Sequence, residues 1–558
     1  MKEFPKITRQ NGAAFWSHTF DTFSATVYVP SAKPELLAGP LNYGFIAPYL
    51  LVFAEKQLNF DEAAAFAREK GFNDIAASFA SSVVFIYPTA EGGWKNASPS
   101  LFSEIITNSR IHEYYEDGAV KAFNRFTKQI DGYFIRGAIF RTCLYGFGES
   151  ADYIAKNCLN HFEGDGLWGR ADLAPVTVTL TGLSVLPEIE ADDIPVISYG
   201  NSEDANEILR DKCTYFIERD EPAFADDLFG FAKQFRRMIG HLDVDPDLEA
   251  DGLIREPFTL EVTTSKDNCG DDRGSEKHTL GCFAFYNEGL FDAAKAAGKK
   301  VPLVLGFHGG GDSCFFFSIM AGWQKICHRH DFLLVTVENH LNSTATEMLE
   351  LIEYLKKTYP VDETRIYATG FSMGGCKTWD FVQEHPEVLA ACAPMDATFE
   401  IGRNVYGNDV EGGINTTIPV PVFYTGGEIT PLPELPFQAQ KCLDRMKYAL
   451  DLNGASLASA YTVKLEDAAG WKNKIWGIDG DIRYTSYDRT RDATLTCELF
   501  RRPDGKIWNV FGSISGQGHD CREHTCEHAW RFMSCFSRAK DGTITGGDEA
   551  AVLAALGE

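Results

Sequence analysis

The stretch Val361-Asp-Glu-Thr-Arg-Ile-Tyr-Ala-Thr-Gly-Phe-Ser-Met-Gly-Gly375 decides the fold of its half of the chain. Arg365 to Thr369 reads as a β-strand, and Gly370-Phe-Ser-Met-Gly-Gly375 as a turn into a helix that ends near His385-Pro386. Gly-x-Ser-x-Gly between a strand and a helix is a nucleophile elbow. The serine must sit on a tight, strained turn, and small residues two positions to either side let the chain fold back without Cβ clashes. The strand lifts the Ser372 hydroxyl to the top of a sheet. The helix aims its first N–H groups at the same point, where they favour negative charge.

Working outward, Val301 to Phe307 and Phe332 to Val337 are short apolar runs rich in β-branched residues, the pattern of strands buried on both faces. Between Thr346 and Tyr359 the apolar residues Met348, Leu349, Ile352 and Leu355 recur at helical spacing, and Pro360 ends the run. Leu389 to Ala393 and Val420 to Tyr424 continue the alternation, which predicts an α/β fold with a mainly parallel sheet flanked by helices. His308-Gly-Gly-Gly311 follows the first of these strands. Glycines there let main-chain N–H groups approach a substrate. With the N–H of Met373, that of Gly309 or Gly310 is expected to hold a developing oxyanion, each such donor contributing ~3 kcal/mol to the transition state.

The first half repeats this plan. Tyr49 to Phe53 and Ser82 to Tyr87 read as buried strands, and Gly137 to Tyr145 leads into Gly146-Phe-Gly-Glu-Ser150. Set against the later elbow, Gly148 stands where Ser372 stands, and Ser150 where Gly374 stands. Ile194-Pro-Val-Ile-Ser-Tyr echoes Ile418-Pro-Val-Pro-Val-Phe at the same offset. The expectation is a tandem pair: residues 1–245 a degenerate, non-catalytic copy, 246–257 a linker around the acidic run Asp243 to Asp251, and 258–558 the catalytic domain. An unrelated accessory domain is the alternative.

A serine needs a base and an orienting acid. In the order Ser, acid, His, the base belongs near the C-terminus, and Gly516-Gln-Gly-His519 places His519 on a loop between a hairpin (Thr494 to Phe511, turning at Pro503-Asp-Gly505) and a helix from about Thr525. Glu428 follows the strand Val420 to Tyr424 and is the expected acid; Asp396 and Glu434 are alternatives. His519, Cys521, His524, Cys526 and His528 cluster in sequence, but without CxxC or HExxH spacing, so no metal and no cofactor is expected. Phe315 to Phe317, Ile319 and Trp323 are candidates for an acyl-pocket wall or for core packing. The segment from Gln438 to Asn509, with Trp471, Trp476 and Trp508, is a candidate lid.

Composition sets the outer limits. The chain has 558 residues, 44% hydrophobic and 23% charged, as in globular proteins. Its formal net charge of −27 opposes binding to nucleic acid or anionic membrane surfaces. No apolar run is long enough to span a bilayer and the N-terminus has no apolar signal region, so a cytoplasmic protein is expected, its cysteines mostly buried thiols.

Phe307-His-Gly-Gly-Gly-Asp312, the run from Val361 to Gly375, and Gly518-His519 together resemble the polyhydroxybutyrate-depolymerase-like esterases, α/β-hydrolases related to feruloyl and acetylxylan esterases. The resemblance covers roughly residues 258 to 540. It implies that Ser372 is the nucleophile and His519 the base. The family's acid is usually Asp, whereas Glu428 stands at that place. The first half looks like a decayed copy, with no HGGG after Phe53 and no serine at its elbow. The expected function is a serine carboxylic-ester hydrolase acting through an acyl-enzyme on a small soluble ester of feruloyl, acetyl or hydroxyalkanoate type. A peptidase or acyltransferase with the same triad, and a non-catalytic binding protein, are the alternatives. The first half is expected to cover the active-site mouth or to mediate homodimerisation.

Overall fold

The computed structural model describes residues 8–30, 49–73, 82–109, 142–159, 177–189, 196–213, 216–220, 235–238 and 241–244, and 248–557 apart from 249, 264–276, 311–313, 339, 341–342, 405–406, 411, 431 and 490. The chain divides into two compact units, Met1–Asp247 and Leu248–Glu558.

In the first unit, strands β1 (Thr8–Gln10), β2 (Ala13–Thr19), β3 (Phe23–Val29), β4 (Tyr49–Phe53), β5 (Val83–Pro88), β6 (Thr142–Phe147), β7 (Thr177–Thr181), β8 (Val196–Tyr199) and β9 (Phe216–Arg219) form one sheet in the order β1-β2-β3-β5-β4-β6-β7-β8-β9. A separate hairpin, β10 (Phe235–Met238) with β11 (His241–Val244), follows. Helix α1 (Phe60–Glu69) opens with a reciprocal capping box between Asn59 and Glu62 and buries Ala63 and Ala67. Helix α2 (Glu149–Asn157) starts directly beyond β6.

The second unit begins with β12 (Leu253–Thr263), so regular strand already runs through part of the stretch 246–257 expected to be a linker. Strands β13 (Lys277–Asn287), β14 (Val301–Phe307), β15 (Leu333–Val337), β16 (Val361–Phe371), β17 (Ala391–Met395), β18 (Val422–Gly427), β19 (Ile482–Asp488), β20 (Ala493–Arg501) and β21 (Ile507–Ile514) complete a sheet ordered β12-β13-β15-β14-β16-β17-β18-β21-β20-β19. From β15 to β21 the neighbours are parallel. Strands β14 and β15 are buried along their whole length, as their apolar runs require.

Helix α3 (Ala345–Thr358) shows how sequence sets an element. The Thr344 hydroxyl accepts the Glu347 N–H, Lys356 and Lys357 occupy the last turn, and Met348, Leu351, Ile352 and Leu355 are buried. Such a cap is worth ~1 kcal/mol, and each large buried side chain ~1.5–3 kcal/mol. Tyr359, extended before Pro360, ends it.

The two sheets share a plan. The order β2-β3-β5-β4-β6-β7-β8-β9 matches β12-β13-β15-β14-β16-β17-β18-β21, antiparallel at the same two junctions and parallel elsewhere. The register agrees as well: Phe53 pairs with Gly146, and Phe307 with Gly370. Both units are mainly parallel α/β sheets with flanking helices.

The aromatic residues singled out in the sequence are largely buried. Trp471 and Trp476 belong to the main core of the second unit, where Trp476 packs on Tyr424 and Phe511. Phe315 packs edge-on against Phe283, and Phe317 and Trp323 are fully buried. Within the stretch from Gln438 to Asn509, Trp471 and Trp476 are core, and the hairpin β19–β20 extends the sheet.

Candidate active site

The elbow forms at the end of β16. Ser372 takes φ 54°, ψ −119°, immediately before helix α4 (Met373–Glu384). A left-handed φ is rare for a non-glycine residue and costs on the order of 1–3 kcal/mol, so the surroundings must enforce it. They do so by close backbone approach. A Cβ on Gly374 would lie 2.0 Å from the Phe307 carbonyl oxygen, and one on Gly370 2.3 Å from the Gly374 carbonyl oxygen. The Ser372 N–H donates to the Met395 carbonyl at 3.0 Å, which ties the turn to β17.

The glycine turn after β14 lies against this elbow. A Cβ on Gly309 would meet the Phe371 ring at 3.1 Å and Ser372 Cβ at 3.5 Å. Gly310 follows it, half-buried, and Gly311 lies outside the described residues. His308 is fully buried, with Nδ1 2.7 Å from the Gly309 carbonyl oxygen and Nε2 2.5 Å from that of Glu338. The neutral ring donates its one N–H to one of these carbonyls and so ties the turn to the chain around it.

His519 enters on the loop after β21, before helix α5 (Glu523–Met533). Its ring lies tilted by 37° against that of Phe371, centroids 4.6 Å apart, so the residue preceding Ser372 touches both the imidazole and the glycine turn. The loop is seated by close approach again: a Cβ on Gly427 would lie 2.2 Å from the Gly518 carbonyl oxygen. Burial holds the imidazole below its ordinary pKa, against the charges of Asp396 and Asp520 that raise it.

The carboxyl that faces His519 Nδ1 is that of Glu434, in a very short contact. Glu428, the expected acid, is bonded elsewhere. Glu428 continues β18 alongside β21, its N–H donating to the Ile514 carbonyl, and its carboxylate accepts from Ser513 Oγ at 2.8 Å. The chain then turns back, and Glu434 is fixed by Thr430 Oγ1 at 2.9 Å and by Tyr424, whose hydroxyl donates to the Glu434 carbonyl at 2.6 Å. Burial pushes the Glu434 carboxyl up to about 8. Asp396, the residue after β17, completes the cluster: its Oδ2 accepts the Asp520 N–H at 3.0 Å.

Donor atoms of Asp396, Glu434 and His519 lie within 4.8 Å of one another, a set that could in principle ligate a divalent cation. Of the His519 nitrogens, Nδ1 faces Glu434. The other cluster considered for metal falls into a histidine pair, His524 and His528 with ring centroids 4.5 Å apart, and a cysteine pair. His524 Nε2 meets Ser486 Oγ at 2.9 Å and His528 Nδ1 the His524 carbonyl at 2.7 Å, while the sulfurs of Cys521 and Cys526 lie 3.5 Å apart. Among the described residues no helix is long and apolar enough to cross a membrane.

A serine at positive φ, a glycine turn and an imidazole paired with a buried carboxyl thus stand around Phe371. Comparison with known proteins gives a narrow sequence match. No family model matches the chain. It is 26% identical over 135 residues to the bifunctional acetylxylan esterase/xylanase XynS20E of Neocallimastix patriciarum, a match spanning 23% of this chain and 19% of that protein. Among solved structures, the acetyl xylan esterase of Aspergillus awamori is 12% identical, covering 47% of this chain and 94% of its own (TM-score 0.29). The feruloyl esterase module of Clostridium thermocellum is 16% identical, covering 47% and 82% (TM-score 0.27). An S-formylglutathione hydrolase of Staphylococcus aureus is 15% identical, covering 36% and 86% (TM-score 0.26).

Proposed function

We propose that the second unit is an α/β-hydrolase acting as a serine carboxylic-ester hydrolase on a small soluble ester. Ser372 attacks the ester carbonyl while His519 Nε2 takes its proton. Glu434 holds the imidazole in the Nδ1–H tautomer and stabilises the imidazolium that forms. The N–H groups of Met373 and of Gly309 or Gly310 stabilise the oxyanion. His519 returns the proton to the leaving alcohol, and water then releases the acyl group by the same steps. Burial suits His519 to this role, because a base must be neutral before it can accept a proton.

The observation that carries this reading is the pairing of His519 with the buried Glu434 beside an elbow serine held at positive φ. The matched relative, an acetylxylan esterase/xylanase, supports an ester substrate. The first unit is read as a second copy that has lost its nucleophile, from its equivalent strand order and its Gly148 elbow.

A fluorophosphonate probe is expected to label Ser372, and Ser372→Ala to abolish both labelling and turnover of p-nitrophenyl acetate with the melting temperature preserved. Hydrolysis that survives Ser372→Ala would remove the mechanism. Turnover of peptides in preference to esters would move the protein to the peptidases.

A further inference from the structure

Two buried carboxylates stand against the His519 imidazole. They come from different strand ends, Asp396 directly after β17 and Glu434 on the loop after β18, and each is separately anchored, by the Asp520 N–H and by Thr430 Oγ1. Asp396 also keeps φ at 48°. Its counterpart in the first unit, after β7, is Gly182 at φ 69°, a residue that takes such a conformation without steric cost. An aspartate held in strain and 2% exposed is an expensive way to fill space.

Electrostatics gives it a use. Two adjacent carboxyls in a water-poor site do not both ionise; they share a proton. Burial, and then the charge of Glu434, raise the Asp396 carboxyl well above the usual range, and burial raises Glu434. Glu434 Oε2 is buried and makes no hydrogen bond within the described residues, which leaves it available to carry that proton. Among the described residues, Asp520 also faces the pair and the imidazole; it is itself paired with Arg522 at 2.8 Å and near Arg491.

We propose that Asp396 and Glu434 act as one proton-sharing acid pair behind His519, with Asp396 a second positioning residue that serves the imidazole when Glu434 is lost. This rests on the hydrolase reading above. At rest the pair holds one proton and one negative charge. When His519 takes the Ser372 hydroxyl proton, that single charge balances the imidazolium and no proton leaves the pair. Return of the proton to the leaving group restores the starting state.

A double-mutant cycle in the full chain tests the pair. Glu434→Gln and Asp396→Asn are each expected to lower kcat on p-nitrophenyl acetate by about 10- to 30-fold with KM little changed, and the double variant by ~10⁴-fold, more than the product of the two. Asp396→Glu should recover most of the loss. Titration of the His519 ring by NMR reads the pair without turnover. Either single variant keeps one negative charge and moves the imidazole pKa little, whereas the double variant lowers it by at least one pH unit. The pair is overturned if Glu434→Gln alone matches the double variant, or if Asp396→Asn lowers only the melting temperature. Absence of probe labelling at Ser372 in the wild type would instead defeat the hydrolase reading, and the NMR titration would still decide the pair.

Discussion

The two elbows of this chain have nearly the same backbone and different chemistry. Gly148 sits at φ 57°, ψ −128°, and Ser372 at φ 54°, ψ −119°, each followed by a helix. Each donates its N–H to the last residue of the next strand, Thr181 at 2.9 Å and Met395 at 3.0 Å. A glycine adopts this conformation freely; a serine does so at a cost on the order of 1–3 kcal/mol. Around the two turns the differences run one way. Where the second unit has Gly309, the first has Glu55, whose carboxylate oxygen lies 3.6 Å from where a Cβ on Gly148 would be. Where the second has Asp396, the first has Gly182. The turn is thus a property of the fold, and it forms whichever of the two residues occupies its tip.

The largest expected effect comes from making the second elbow like the first. Ser372→Gly should lower kcat on p-nitrophenyl acetate by ~10⁵–10⁶-fold, the scale of removing a triad nucleophile. It should also raise the stability of the second unit by about 1 kcal/mol as the strain is relieved. A stability loss, read by urea denaturation, would mean that the serine side chain holds the turn.

Next comes the glycine turn. Gly309→Ala puts a methyl group against the Phe371 ring at 3.1 Å and Ser372 Cβ at 3.5 Å. Displacing the turn should cost one oxyanion donor, ~10²-fold in kcat. An unchanged kcat would show that the turn has no part in catalysis.

The third contrast is between His519 and an exposed imidazole. Burial lowers the His519 pKa, and the base must be neutral to work. The acid limb of kcat/KM should therefore fall below the ordinary histidine value of ~6.5, with activity present above it and lost as pH falls through it. A limb above that value would mean that the neighbouring carboxylate charges outweigh burial.

That Ser372 stands at an elbow and His519 on a loop was legible because local chemistry fixes such turns. Gly370 and Gly374 are required by contacts under 2.5 Å that any side chain would fill, and the loop histidine follows from chain order. The acid was not legible in the same way. Glu428 and Glu434 both follow β18, and the choice depends on backbone bonds invisible in the sequence: Glu428 is drawn along β21 by Ile514, and the return loop is pinned by Tyr424 and Gln438. The tryptophans misled because burial and proximity to a site have the same composition; Trp471 and Trp476 are core. The internal repeat was legible at the elbow and slipped afterwards. The sequence offset sets Tyr199 against Phe423, but the strand pairings, Thr181 with Tyr199 and Met395 with Thr425, set it against a residue two positions later. Register between strands is a tertiary property.

The smallest expected effect is the reverse exchange, Gly148→Ser. The space is open, since the nearest atom to a new Cβ is Glu55 Oε1 at 3.6 Å, so the substitution should be accommodated. The φ of 57° remains, and without the enforcing contacts of the later elbow it should lower the stability of the first unit by about 1 kcal/mol. No activity should appear. A hydroxyl on a strained turn is a weak nucleophile without a base, and beside Glu55 an oxyanion would meet negative charge instead of N–H donors. The readout is fluorophosphonate labelling of Gly148→Ser in a Ser372→Ala background, where any signal reports the first unit alone. Labelling of the introduced hydroxyl would show that the first unit retains a working base among residues not assigned to one. Silence with a small fall in melting temperature would separate the geometry of the elbow from its reactivity.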